Sequence, residues 1–195
     1  MPDASPRIRL SRDQRRLQLL DVAWRIIGRD GADALTLGRV AKQAGVTKPI
    51  VYDHFKDREG LLMALYRDFD VRQTEVLDTA LASGSPQPKA RAGIIADAYV
   101  DCVLAQGREM PSILGALAGS RVLEQVKCDY QHAFIAKCRA LLTPKAQGGP
   151  ATDARFWAML GAADGLANAA ANGQIEATVA KAQLREIILT VILRS

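Results

Sequence analysis

Between Thr36 and Phe55 two helical patterns meet across Gly45-Val46. Thr36 is a good N-cap for the first, Val40 and Ala44 supply its inner face, and Gly45 stops it. Thr47 can cap the second, with Pro49 in its first turn, where a missing N–H costs little. A glycine turn this short sets two helices at a steep angle. Ala41 is small enough for the axes to come close, and Val46 and Val51 can seal the contact. Such a helix-turn-helix offers the N-terminal end of its second helix to the major groove of DNA.

The flanking residues continue the helical reading. Ser11 and Gln14 fit a capping box, after which Leu17, Leu20, Trp24 and Ile27 recur at helical spacing up to Gly31, which suits a left-handed C-terminal position. Asp57 caps a further helix through Leu61, Leu62, Leu65 and Phe69 to about Ala82. The stretch SGSPQP, residues 83–88, breaks the pattern. Longer helices follow near 89–106, 111–118, 120–143, 152–172 and 176–193, with breaks at Gly107–Pro111, at TPKAQGGP (143–150) and at Asn172–Gly173. Aromatics are 5% of the chain, and no segment alternates with the period of a strand. The expectation is an all-α protein. Residues 1–56 form a three-helix helix-turn-helix domain with a flexible arm at 1–10. A long helix joins it to a second helical domain, within residues 57–195.

Residues 1–60 hold twelve Lys/Arg against eight Asp/Glu, while the remainder holds fourteen against thirteen, so most of the net charge of +5 sits beside the helix-turn-helix. A polyanion would be drawn there. Lys48 can donate to guanine, Ile50 can meet a thymine methyl, and Asp53 can accept from cytosine or exclude wrong sequences. Pro49 lies beside them. Thr36, Arg39, Thr47, Tyr52, His54 and Lys56 are donor types that hold phosphate oxygens. His54 reads equally as a packing residue, Tyr52 less so because a phenol suits a wet interface, and the two threonines cap helices in any case.

The segment GVTKPIVYDHFKDREGLLMALY resembles the turn, recognition helix and following helix of the TetR family of bacterial transcriptional regulators. The matching features are Thr36, Val40-Ala41, Ala44-Gly45-Val46, Tyr52-Asp53-His54-Phe55, Lys56-Asp57 and Leu61-Leu62. The resemblance covers roughly residues 12–66. It implies that Tyr52 and Lys56 contact phosphates and that Lys48, Pro49 and Ile50 sit at base edges. Gly38 departs from it, standing where many members carry a side chain that reaches DNA. It also implies a homodimer binding double-stranded operator DNA, with a second domain that binds a small effector, most often as a repressor.

The second domain adds physical support. Helix 152–172 is rich in Gly and Ala, and helix 176–193 carries Leu184, Ile187, Ile188, Val191 and Ile192 at helical spacing. Trp157, Gly161, Gly165, Leu184, Ile188 and Val191 are therefore candidates for a four-helix dimer interface, the alternative being packing within one chain. Tyr99, Cys102, Met110, Tyr130, His132 and Phe134 could surround an effector cavity. Cys102, Cys128 and Cys138 are odd in number and lack Cys-x-x-Cys spacing, which argues against a disulfide scaffold or zinc site and for a reducing cytoplasm. No apolar run reaches membrane-span length, and no P-loop or His-Glu-x-x-His motif marks an enzyme. No metal or cofactor is expected. A helical adaptor that binds protein alone is the competing reading, separable by salt-dependent DNA binding.

Overall fold

The computed structural model describes residues 10–105, 109–143 and 150–193. Among these the chain is helical, with nine α-helices and no strand. They are α1 (Arg12–Asp30), α2 (Leu37–Ala44), α3 (Lys48–Phe55), α4 (Arg58–Ser83), α5 (Pro88–Leu104), α6 (Glu109–Ala116), α7 (Arg121–Leu142), α8 (Pro150–Ala171) and α9 (Ala177–Leu193). The expected arm at 1–10, except Leu10, and most of the expected break at 143–150 lie outside the described residues.

Two compact units divide the chain, and the division falls inside α4, between Asp68 and Phe69. Helical patterns alone place the boundary at 56/57, where α3 turns into α4. The first unit also takes in α6.

In the first unit α1 opens on the expected capping box: the Ser11 hydroxyl accepts from the Gln14 N–H, and the Gln14 side chain accepts from the Ser11 N–H. Its buried face is Leu19, Leu20, Val22, Ala23, Ile26 and Ile27. Leu17, expected on that face, is exposed, because the apolar arc is centred on Ala23. Gly31 has φ 80 and ψ 168, a positive φ but not the left-handed helical conformation expected. It opens a 3-10 turn at Ala32–Ala34 that helical periodicity does not reveal. Arg58, at the start of α4, donates from Nε to Leu35 O (3.1 Å) and from Nη2 to Ala32 O (2.8 Å). Ser112 of α6 accepts from the Ala32 N–H at 3.0 Å. The turn's polar backbone thus finds partners where it would otherwise be left unpaired. Pro111 lies in the first turn of α6 and not in a break before it, a place where no intrahelical N–H bond is needed.

The second unit contains the rest of α4 with α5, α7, α8 and α9. Its core is built from Ile95 and Ala96 of α5, Ile135 and Cys138 of α7, Phe156, Met159 and Ala163 of α8, and Leu184, Ile188 and Val191 of α9. Leu184 and Ile188 are each 1% exposed. The last three were expected at a dimer interface, and the structure corrects this: their stripe is used inside one chain, packed on α5 and α8.

Candidate nucleic-acid interface

The turn between α2 and α3 is made by Gly45, whose φ 66 and ψ 32 are left-handed helical and natural to glycine. Val46 N–H donates to Ala41 O at 3.0 Å, closing the C-terminus of α2. Val40, Ala41, Val51 and Phe55 are buried and fix α3 against α2 and α1. That packing leaves the opposite side of α3 outward. Thr47, Lys48, Pro49, Ile50, Tyr52, Asp53 and Lys56 are exposed, and His54 is half-buried. Ile50 and Tyr52 are 37% and 51% exposed, a large apolar area turned outward.

The expected contacts differ in how free they are. Thr36 caps α2 through its hydroxyl, which accepts from the Arg39 N–H at 3.1 Å. Thr47 sits at the N-cap of α3 but makes no side-chain cap bond, so its hydroxyl is not spent on the helix. Arg39 is engaged: its Nη2 pairs with Asp30, and its Nη1 donates to Ala34 O at 3.4 Å. Arg29 and Arg39 together hold the Asp30 carboxyl below its usual range, the Arg29 hydrogen bond contributing most. Lys48 lies across the start of α2; a Cβ added at Gly38 would meet its Cε at 3.3 Å. The missing side chain at Gly38 therefore gives Lys48 its lane.

Lys56 occupies a strained corner. Its φ is 63 and ψ −58, and Asp57 N–H donates to Phe55 O at 2.7 Å, a γ-turn between α3 and α4. The Asp57 carboxylate then accepts from the Gly60 N–H at 2.7 Å and caps α4. Gly60 fits there because a Cβ would fall 2.1 Å from Phe55 O.

Arg12 Nη2 lies 3.5 Å from the Asp53 carboxylate, and the Arg16 guanidinium covers the Phe55 ring at 5.2 Å. His54 is held below its usual imidazole pKa by burial first, then by Arg12, with Arg16 and Arg15 adding to the effect and Asp53 opposing it. Three arginines of α1 thus add positive charge beside this end of α3.

The expected effector residues are distributed differently. Met110 is buried in the first unit, in α6. In the second unit Tyr99 and Phe134 pack at 5.4 Å, and the Tyr99 hydroxyl donates to Asp164 Oδ1 at 2.5 Å. Burial, with Asp164 beside it, pushes the Tyr99 phenol well up. Burial also raises the Cys102 thiol to about 11 and the Cys138 thiol to about 12. His132 stands edge-on to Trp157 at 5.3 Å and 3.6 Å from Cys128 Sγ, on a different part of α7; Tyr130 is half-buried. Trp157, Gly161 and Gly165 are exposed on α8, and a Cβ at either glycine would meet nothing within 4 Å. The described residues contain no cluster of three or more metal-ligating side chains, and no helix among them is long and apolar enough to cross a membrane.

A short helix held by a glycine turn, with its basic N-terminal end bare and its apolar side buried, defines the helix-turn-helix class of DNA-binding proteins. Residues 19–65 match the family described as bacterial regulatory proteins, tetR family. The helix-turn-helix unit, residues 19–65, is thus one of the TetR family of transcriptional regulators. It is 34% identical over 73 residues to the HTH-type transcriptional regulator AcrR of Shigella flexneri, covering 36% of this chain and 34% of that protein. It is 35% identical over 88 residues to the HTH-type transcriptional regulator BetI of Burkholderia thailandensis, covering 44% and 45%. The matches therefore span less than half the length of these relatives. Solved structures extend the likeness of fold to the whole chain. A protein of unknown function from Rhodococcus sp. RHA1 superimposes with a TM-score of 0.74 at 26% identity, covering 95% of this chain and 98% of that one. The multidrug binding protein EbrR, complexed with imidazole, gives 0.68 at 18% identity, covering 98% and 96%.

Proposed function

We propose that this protein is a cytoplasmic repressor, and not an enzyme, that binds a palindromic operator as a homodimer and releases it when a small apolar or amphipathic effector binds the second unit. One observation carries the reading. The face of α3 that bears Lys48, Pro49, Ile50 and Tyr52 is exposed, while its other face is locked into the core by Val51 and Phe55. Lys48 and Ile50 meet base edges; Thr36, Thr47, Tyr52, His54 and Lys56 meet phosphates; Asp53 accepts from cytosine or rejects other bases. Arg39 serves the unit through Asp30 and not as a primary DNA contact.

The dimer forms on the exposed faces of α8 and α9. Trp157, Gly161 and Gly165 lie there, and an open groove of ≈ 320 Å³ is lined by α9 residues including Val179, Ala182 and Glu186. Small residues on α8 permit close approach of a second helix. Tyr99, Cys102 and Phe134, with Tyr130 and His132 on α7, are the effector-facing candidates. The fold shared with a protein named as multidrug binding supports a small-molecule effector. The effector must bind the released state more tightly than the operator-competent one, and operator and effector must weaken each other by the same factor.

The test is selection of bound fragments from a random DNA pool, repeated with candidate effectors. The expected result is a two-fold symmetric motif with half-sites about one helical turn apart or a multiple of it. Enrichment of no sequence, with no salt-dependent binding, would remove the reading.

A further inference from the structure

The first turn of α1 stands beside the recognition helix. Arg12, Arg15 and Arg16 are spaced i, i+3 and i+4, so they share one face of α1. Arg16 is anchored over the Phe55 ring, and Arg15 donates to Gln18. Arg12 is different: its side chain is 73% exposed, and it reaches Asp53 at 3.5 Å across from α3. Asp53 is itself 69% exposed on the helix that faces DNA. Asp13 is the one acidic residue in this turn of α1.

This arrangement poses an electrostatic problem and answers it. A bare carboxylate on a reading face repels the phosphates on either side of the groove. A guanidinium beside it cancels that charge and still has donors to spare, since five N–H groups exceed what one carboxylate can take. An exposed ion pair of this kind is worth little to folding, so stability does not account for it.

We propose that the N-terminal turn of α1 is a second phosphate-binding element of the reading head, in which Arg12, positioned by Asp53, grips a backbone phosphate beside the bases that α3 reads. The proposal rests on the helix-turn-helix being a DNA-binding head. Its ligand is the DNA backbone, so Arg12 adds affinity on every sequence and no base preference of its own. Asp53 holds Arg12 through this ion pair in addition to the base-edge role proposed for it above. Arg15 and Arg16 extend the positive field outward along α1, consistent with their effect on His54.

The experiment measures DNA affinity against salt for the full chain and four variants: Arg12→Gln, Asp53→Asn, the double substitution, and Arg25→Gln. Arg25 is an exposed arginine farther along α1 whose Nε donates to Asp21 O, and it controls for loss of one charge. Arg12→Gln is expected to weaken operator and random DNA alike by about tenfold near 0.1 M salt, and to lower the slope of log K against log salt by about one. In the Asp53→Asn background the same substitution is expected to cost clearly less, because no carboxylate is left uncovered. Thermal melting should be unchanged, as both side chains are exposed. Equal affinity and slope for Arg12→Gln and Arg25→Gln would overturn the proposal while leaving the DNA-binding reading intact. Equal cost of Arg12→Gln with and without Asp53 would overturn the positioning role. Absence of salt-dependent DNA binding by the unsubstituted chain would instead overturn the reading of the head itself.

Discussion

Single residues in this protein carry opposing demands, and Lys56 shows them most clearly. Its backbone adopts a positive φ that costs a non-glycine residue about 1–3 kcal/mol, yet its ammonium is placed at the end of α3 where a phosphate contact is expected. Lys56→Gly should therefore raise the unfolding free energy by about 1 kcal/mol and weaken DNA binding, whereas Lys56→Ala should weaken binding with no gain in stability. Urea unfolding and a salt-dependent binding titration on both variants separate strain from contact. Equal stability of the two variants would mean that the corner is not strained. Cys102 and Cys138 make a second case. Burial raises their thiols to about 11 and 12 from an ordinary 9.0, so the folded chain holds them protonated where an unfolded chain ionises them. Between pH 9 and those values the unfolded state binds fewer protons, and stability must fall as pH rises. The full contribution is present below pH 9. Urea midpoints measured from pH 8 to 11 should decline, and Cys138→Ala should flatten the decline while lowering overall stability through the lost side chain. A pH-independent midpoint over that range would refute the assignment.

At the scale of elements, glycines of opposite meaning sit near each other. Gly60, in the first turn of α4, has no room: a Cβ would lie 2.1 Å from the Phe55 carbonyl oxygen, a backbone atom that cannot move without opening the α3–α4 corner. Gly60→Ala should destabilise by about 1–3 kcal/mol despite alanine's higher helix propensity. Gly38 in α2 meets only the flexible end of Lys48 at 3.3 Å. Gly38→Ala should stabilise by about 0.5–1 kcal/mol, the helix-propensity difference, while displacing the Lys48 side chain. Thermal melts of the two variants should thus move in opposite directions, and a shared direction would show that the corner at Phe55 can relax. Both glycines are plain in the sequence. Their difference is not, because it depends on which atom the fold brings to the empty Cβ position.

The proposed assembly of two chains is tested on the whole molecule. Ile188 is 1% exposed within the second unit, so Ile188→Asp should unfold that unit and cannot report on association. Gly161 is exposed on α8 with nothing within 4 Å of an added Cβ. Gly161→Glu should leave the chain folded and convert dimers to monomers, read by sedimentation velocity alongside circular dichroism. A dimer that survives this change would move the interface away from α8.

Helical periodicity and capping residues determined most of the fold by themselves. The capping box at Ser11, the αL turn at Gly45 and the Asp57 cap on α4 are local bonds, made within three or four residues, and local chemistry is written in local sequence. The outward face of α3 was legible for the same reason, since a buried Val51 and Phe55 force the other side outward. Tertiary structure decided what periodicity leaves open. An apolar stripe states that a helix must be covered and does not name the cover, so Leu184, Ile188 and Val191 looked the same for a partner as for α5 and α8. The place of α6 in the first unit and the meeting of Arg12 with Asp53 join residues far apart along the chain. Nothing in their local sequence encodes such neighbours; packing brings them together, and only then do their charges act on one another.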